Sequence, residues 1–131
     1  MGEEELVRIF QEEAETVTRE SWWQDMSMQD RENFLVYGLA DECGEVLTLF
    51  KDRIVDQAFG TGEGLDEEHL IEELGDVLWH IAMISAIYEI KLEEVMAKSI
   101  KKFRKKFPER FKGSLLEILE GYDAPNTDRS R

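Results

Sequence analysis

The placement of proline most strongly constrains how this chain folds. Its 131 residues include only two prolines, Pro108 and Pro125, so the ring that ends or kinks a helix is absent before residue 108. Apolar residues in that long stretch recur at helical spacing, with little of the alternation typical of strands. We therefore predict an all-α fold, and the length suits a single domain.

Four amphipathic segments divide the stretch before Pro108, and we interpret each as a helix. They span residues 3–21, 31–54, 67–89 and 92–107. Ser27 or Asp30 is suited to cap the second helix, and Asp66 the third. Because the third segment is apolar on more than one face, we expect it to be the central helix. The predicted architecture resembles a four-helix bundle.

A glycine-rich segment predicts a loop within this bundle, and the composition of the C-terminal residues predicts where the domain ends. Three glycines within residues 56–65 predict a loop, which lacks the lysine and the serine or threonine of a phosphate-binding loop. We interpret it as a connector, and the alternative is a lid over the substrate. We assign residues 1–112 to the domain and residues 113–131 to a tail. Within the tail, a short helical turn is expected at residues 115–122, followed by a flexible end.

The charge balance narrows the classes of partner. Thirty acidic and sixteen basic residues leave a net charge of -14, which disfavours binding to nucleic acid. The first residues are acidic where a secretory signal needs basic ones, so we predict a cytoplasmic protein that does not engage a membrane. Cys43 is the single cysteine, which excludes an internal disulfide and a cysteine-based zinc site.

Two pairs of acidic residues are the strongest indication of chemistry. Glu42 and Glu45 are three residues apart, as are Glu73 and Asp76, so each pair lies on one side of its helix. Apolar residues flank both pairs, and carboxylates in such surroundings need a positive partner. Mg²⁺ suits this role because it prefers oxygen ligands and keeps waters and phosphates among them.

Two other interpretations of these acids stay open at this point. A chain this rich in glutamate contains such spacings by chance, so the pairs are also compatible with an ordinary solvated surface. A di-iron bundle is disfavoured, because it requires a glutamate three residues before a histidine, and neither His69 nor His80 has one.

The two acidic segments closely resemble the motifs of a known family. Residues 38–46 read GLADECGEV and residues 73–79 read ELGDVLW, which is similar to the Glu-x-x-Glu and Glu-x-x-Asp pattern of the MazG-like nucleoside triphosphate pyrophosphohydrolases. The spacer between the motifs is within the range that the family tolerates. The resemblance extends to Phe10 and Gln11, to Lys51, and to residues 92–111.

This resemblance implies an all-α enzyme with a metal cofactor. Glu42, Glu45, Glu73 and Asp76 would bind Mg²⁺, or Mn²⁺ in its place, and a (deoxy)nucleoside triphosphate would be hydrolysed to the monophosphate and pyrophosphate. Glu45, or else Glu42, would accept the proton of the attacking water. The family further implies self-association as a homodimer or tetramer, and a role in removing unwanted nucleotides.

Six residues are predicted to contact the substrate: Gln11, Lys51, Trp79, Ser99, Lys102 and Lys106. Lys102 matches the family's lysine, whereas Ser99 stands at a position usually held by asparagine and Lys106 at one usually held by arginine. Ser99, Lys102 and Lys106 share one side of the fourth predicted helix. The alternative is that this side is simply solvated.

The aromatic residues also allow two interpretations. Trp79, with Phe10, Trp22 and Trp23, would form a stacking wall for the base, although aromatics at helical spacing are more often ordinary core. For the whole chain, the alternatives to a triphosphate pyrophosphohydrolase are a catalytically silent protein-binding module and a hydrolase of another phosphoanhydride, such as a nucleoside diphosphate.

Overall fold

The computed structural model describes residues 2–60 and 64–110. The helices are α1 (Glu3–Glu15), α2 (Ser21–Gln24), α3 (Met28–Phe59), α4 (Glu67–Ile87) and α5 (Leu92–Lys106), with 3-10 turns at Thr16–Arg19 and Pro108–Arg110. The described part of the chain contains no strand, so the predicted all-α fold is confirmed. None of these helices combines the length and apolar character needed to cross a membrane.

The three other long helices, α1, α3 and α5, pack around α4. This helix contacts α1, α3 and α5, and α3 packs chiefly against it. The core joins Ala82 and Met83 of α4 to Leu35 of α3, Ala14 of α1 and Leu92 of α5, all of which are buried. The prediction that this helix is central is confirmed.

The start of α3 follows the predicted capping chemistry, but its end does not follow the predicted loop. Ser27 Oγ accepts a hydrogen bond from the backbone N–H of Asp30 at 3.1 Å, which decides between the two candidate caps. The helix continues to Phe59, so the prediction that a loop begins at Asp56 was wrong. Gly60, with a left-handed φ of 66°, terminates the helix instead.

The ends of the other helices differ less from the predicted ones. Asp66 caps α4 as predicted, through a 3.1 Å hydrogen bond from the backbone N–H of His69 to Oδ1. The first predicted helix ends early, because the chain tightens into a 3-10 turn after Glu15 and becomes extended at Glu20, with ψ 138°. Residues 61–63, at the centre of the predicted loop, lie outside the described residues, as does the predicted tail at 113–131.

Gln11 links α1 to the turn between α4 and α5. Its Nε2 donates to the backbone oxygens of Ile90, at 3.0 Å, and Ala82, at 3.4 Å. Its Oε1 accepts from the backbone N–H of Leu92 at 2.9 Å. Leu92 is the first residue of α5, which has no side-chain cap of its own, so Gln11 satisfies a donor that the helix leaves unpaired.

A close approach of α3 and α4 occurs at Gly38. A Cβ added there would overlap Nε2 of His80 and lie 2.8 Å from its Cδ2. The imidazole is held in place by a 2.8 Å hydrogen bond between Nδ1 and the backbone oxygen of Asp76. Gly38 therefore permits the two helices to approach one turn away from the acidic residues.

Substitution of Gly38 by alanine is expected to lower the free energy of unfolding by about 1–3 kcal/mol, the usual cost of overpacking. The added methyl group must displace the imidazole of His80 or separate the helices. Urea unfolding followed by circular dichroism measures this change. Gly44→Ala is the matched control in the same helix, because its Cβ meets nothing within 4 Å and alanine favours helix. Equal stability of the two variants would contradict the prediction, as would failure of His80→Ala to compensate Gly38→Ala.

Candidate metal centre

Three carboxylates converge where α3 faces α4. Oxygen atoms of Glu42, Glu73 and Asp76 lie within 4.8 Å of one another. Glu73 and Asp76 lie on one side of α4 because they are three residues apart, and Glu42 approaches from α3. Glu42 and Glu73 are partly buried, whereas Asp76 is exposed. The structure thus brings together three of the four predicted metal ligands.

Glu45 lies outside this group of three. It is exposed on α3, one turn after Glu42. Its role as a ligand or as a general base therefore stays a prediction.

Glu42, Glu73 and Asp76, together called the acidic group below, lie in unfavourable electrostatic surroundings. Partial burial, together with the charges of Asp76 and Glu73, raises the pKa of Glu42 above its ordinary value of 4.5, and His80 acts in the opposite direction. Oε2 of Glu73 is buried and has no hydrogen-bond partner among the described residues. Because the donor set consists of carboxylate oxygens, it fits a hard divalent cation such as Mg²⁺ or Mn²⁺, which would compensate both features.

The raised pKa of Glu42 predicts that Glu42→Gln stabilises the metal-free protein at neutral pH. Folding opposes ionisation of this carboxyl, so the cost is absent below pH 4.5 and appears as the pH rises through the raised pKa. Thermal melting in the presence of a chelator should show a higher midpoint for the variant at neutral pH, and no difference in acid. Added Mg²⁺ should reverse the order, because only the wild-type site binds it fully. A variant less stable than wild type at neutral pH without metal would contradict this account.

Comparison with protein families places this acidic group in a known context. A family model described as the MazG nucleotide pyrophosphohydrolase domain matches residues 30–111, well over half of the chain. The chain belongs to the MazG family. The match includes both acidic motifs and confirms the resemblance inferred from them. Searches of curated proteins and of solved structures gave no significant match.

The basic residues predicted to contact the substrate are exposed in this MazG domain. Ser99, Lys102 and Lys106 lie on α5, which packs against α1 and α4. Lys51 is also exposed, and because it follows Glu42 by nine residues it projects from the opposite side of α3. Within a single chain, the fold does not direct Lys51 towards the acidic group.

Gln11 has a different environment from the one expected of a substrate contact. It is 6% exposed, and both ends of its amide are hydrogen-bonded to backbone. This placement argues against the predicted substrate contact, because the polar atoms that would recognise a nucleotide are already used in the core.

The aromatic residues divide between core and surface. Trp79 is partly buried against the core and makes an edge contact with His80, with ring centroids 5.0 Å apart. Trp23 is buried, whereas Trp22 is half-exposed and contacts Phe34, with centroids 5.6 Å apart. Phe10 packs against the core. Most of the predicted stacking wall is thus occupied in packing, and Trp79 and Trp22 retain exposed surface.

One residue at the acidic group was not predicted from the sequence. His69 Nε2 lies 3.1 Å from Oε1 of Glu73. The available signal was the spacing of four residues between them, which places both on one side of a helix. In this pair the histidine precedes the glutamate by four residues, so it does not match the Glu-x-x-His pattern of di-iron proteins.

Proposed function

We propose that this MazG-family protein hydrolyses a nucleoside or deoxynucleoside triphosphate to the monophosphate and pyrophosphate in a reaction that requires Mg²⁺. The observation that carries the proposal is the acidic group of Glu42, Glu73 and Asp76, which lies inside the matched domain. Oε2 of Glu73 is buried and has no hydrogen-bond partner in the part of the chain that the structure describes, which supports a cation at this position. Pyrophosphate as the product rests on the family.

The acidic residues would divide the work of the reaction. Glu42, Glu73 and Asp76 would hold the ion, with Glu45 one turn away as a fourth ligand. When bound, the ion would neutralise charge on phosphate oxygens and lower the pKa of a coordinated water. Glu45, or Glu42 in its place, would accept the proton of the water whose oxygen bonds to the α-phosphorus, as the bond from that phosphorus to the bridging oxygen breaks and pyrophosphate leaves.

Substrate binding would depend on the basic end of α5. Lys102 and Lys106 are proposed to neutralise the phosphates, with Ser99 as a hydrogen-bonding neighbour. Because Lys51 lies on the side of α3 opposite Glu42, it is proposed as a basic contact only for a site on another subunit. Trp79 is proposed to contact the base. The corresponding role would be removal of unwanted nucleotides from the cytoplasmic pool, and neither nucleic acid nor membrane is expected as a partner.

The assay that tests this proposal is incubation of the purified protein with each common triphosphate and Mg²⁺, followed by separation of the products. Pyrophosphate and the matching monophosphate are expected. Inorganic phosphate as the first product, or turnover of nucleoside diphosphates alone, would indicate a hydrolase of another phosphoanhydride. Absence of turnover across the panel, in folded protein whose melting temperature Mg²⁺ does not raise, would favour a protein-binding module.

We further propose that the protein is a homodimer or tetramer. Large apolar side chains are exposed on the outer side of α3 and on α4: Val36, Tyr37, Leu47, Ile54, Ile71, Leu74 and Leu78. On α3, Val36, Leu47 and Ile54 are separated by eleven and seven residues, so they form one stripe along the helix. An exposed apolar stripe of this kind is typical of an interface.

Leu47→Glu is expected to reduce the oligomer to a monomer, because it introduces a charge into the apolar stripe of α3. Leu47 is 70% exposed in the single chain, so the change should be tolerated by the monomer fold. Light scattering coupled to size-exclusion chromatography measures the mass. Leu6→Glu on α1 is the matched control, since Leu6 is 58% exposed but lies outside the stripe. A monomeric wild-type protein would contradict the proposed association.

A further inference from the structure

The imidazole of His69 contacts the acidic group from its outer side. Its Nε2 lies 3.1 Å from Oε1 of Glu73, and the side chains are 46% and 13% exposed, respectively. The second oxygen of Glu73, Oε2, is buried and has no hydrogen-bond partner among the residues that the structure describes. The two oxygens of one carboxylate therefore have different environments: one is bonded to His69, and the other is buried without a hydrogen-bond partner among the described residues.

The start of α4 holds His69 in position. Its backbone N–H donates to Oδ1 of Asp66 at 3.1 Å, which caps the helix. Helical side chains lean towards the N-terminus of their helix, so the carboxylate of Glu73 extends back over the turn that carries His69. The hydrogen bond thus spans one turn of a capped helix.

The other histidine near the acidic group makes a different contact. His80 Nδ1 lies 2.8 Å from the backbone oxygen of Asp76, and its ring packs on Gly38. The hydrogen bond of His80 therefore goes to the main chain, whereas His69 bonds directly to a carboxylate that belongs to the acidic group.

We propose that His69 is a positioning residue for the metal centre. It donates from Nε2 to Oε1 of Glu73 and thereby orients Oε2 towards the position shared with Glu42 and Asp76. Without this bond the carboxylate of Glu73 can rotate. Fixing it on metal binding would then cost conformational entropy and weaken the affinity for the ion. The inference rests on the proposed function only in that the acidic group binds a divalent cation.

The test measures Mn²⁺ binding to the full chain without nucleotide, using the electron paramagnetic resonance signal of free Mn²⁺. His69→Leu removes the donor and should raise the dissociation constant by about 10–100-fold, the usual cost of losing an outer-shell partner. His69→Gln should recover most of the affinity, since glutamine Nε2 is as many bonds from Cα as histidine Nε2 and also carries N–H. A residue that only supports the helix would not show this rescue.

Arg8→Leu provides the matched control. Arg8 and Glu12 form an exposed pair on α1 with the same spacing of four residues, at 3.0 Å. Its loss should leave Mn²⁺ affinity unchanged. Thermal melting of the metal-free variants confirms that each is folded, and His69→Ala replaces His69→Leu if the latter is not.

Each outcome bears on a distinct claim. Unchanged affinity in folded His69→Leu, or lost affinity that His69→Gln does not recover, overturns the positioning role. Absence of Mn²⁺ binding in the wild type overturns both the positioning role and the metal centre. Normal Mn²⁺ binding with no nucleotide hydrolysis overturns the proposed function alone, and the comparison of His69 variants still decides the positioning role.

Discussion

Replacement of Glu73 by glutamine is expected to abolish nucleotide hydrolysis and leave the fold intact. The side chain keeps its shape but loses the charge that attracts a cation to the acidic group with Glu42 and Asp76. Loss of a residue that hydrogen-bonds to a metal ligand typically lowers metal affinity or activity about 10–100-fold. Loss of a ligand oxygen itself should therefore lower kcat/KM at least about 100-fold. Since the change also relieves repulsion between neighbouring carboxylates, the melting temperature without metal should not fall.

The measurement is release of pyrophosphate over a range of Mg²⁺ concentrations. Glu72→Gln is the matched control, because it makes the same change one residue earlier in α4 at an exposed position outside the acidic group. Activity equal to wild type in Glu73→Gln would remove this residue from the metal centre. An equal loss of activity in both variants would indicate that activity depends on the net charge of α4 rather than on coordination of the ion by Glu73.

Replacement of Gln11 by leucine is expected to destabilise the protein by about 2–4 kcal/mol, because it leaves buried backbone groups without partners at about 1–3 kcal/mol each. The groups affected are the N–H of Leu92 and the carbonyl oxygens of Ile90 and Ala82. Leucine fills a similar volume, so the loss should come from hydrogen bonding rather than from a cavity. Urea unfolding at a fixed protein concentration measures it, since association also affects stability.

Gln24→Leu is the matched control for this change. The side chain of Gln24 is exposed, and its Nε2 lies 3.5 Å from the backbone oxygen of Thr18, so the substitution should change stability by less than about 0.5 kcal/mol. A Gln11→Leu variant as stable as wild type but with a raised KM would support the substrate contact predicted from the sequence and contradict the structural role.

Features that depend only on residues close together in the sequence were predictable from it. Apolar spacing identified the long helices. Asp66 was predicted as a cap and Ser27 was one of two candidates, because a cap depends only on the residues at its own helix end. The prediction failed after Asp56, since the glycine-rich composition of the following segment suggested a loop where α3 continues to Phe59.

The sequence by itself determined that the chain is helical and that it carries two pairs of carboxylates, each pair spaced one helical turn apart and resembling a MazG motif. It could do so because helical periodicity and motif spacing are properties of a single helix. Only the tertiary structure decided which carboxylates meet across α3 and α4, that Gln11 belongs to the core, and that His69 contacts Glu73. These features depend on how far helices are rotated and offset against one another. That offset is set by packing between residues distant in sequence, such as Gly38 against His80.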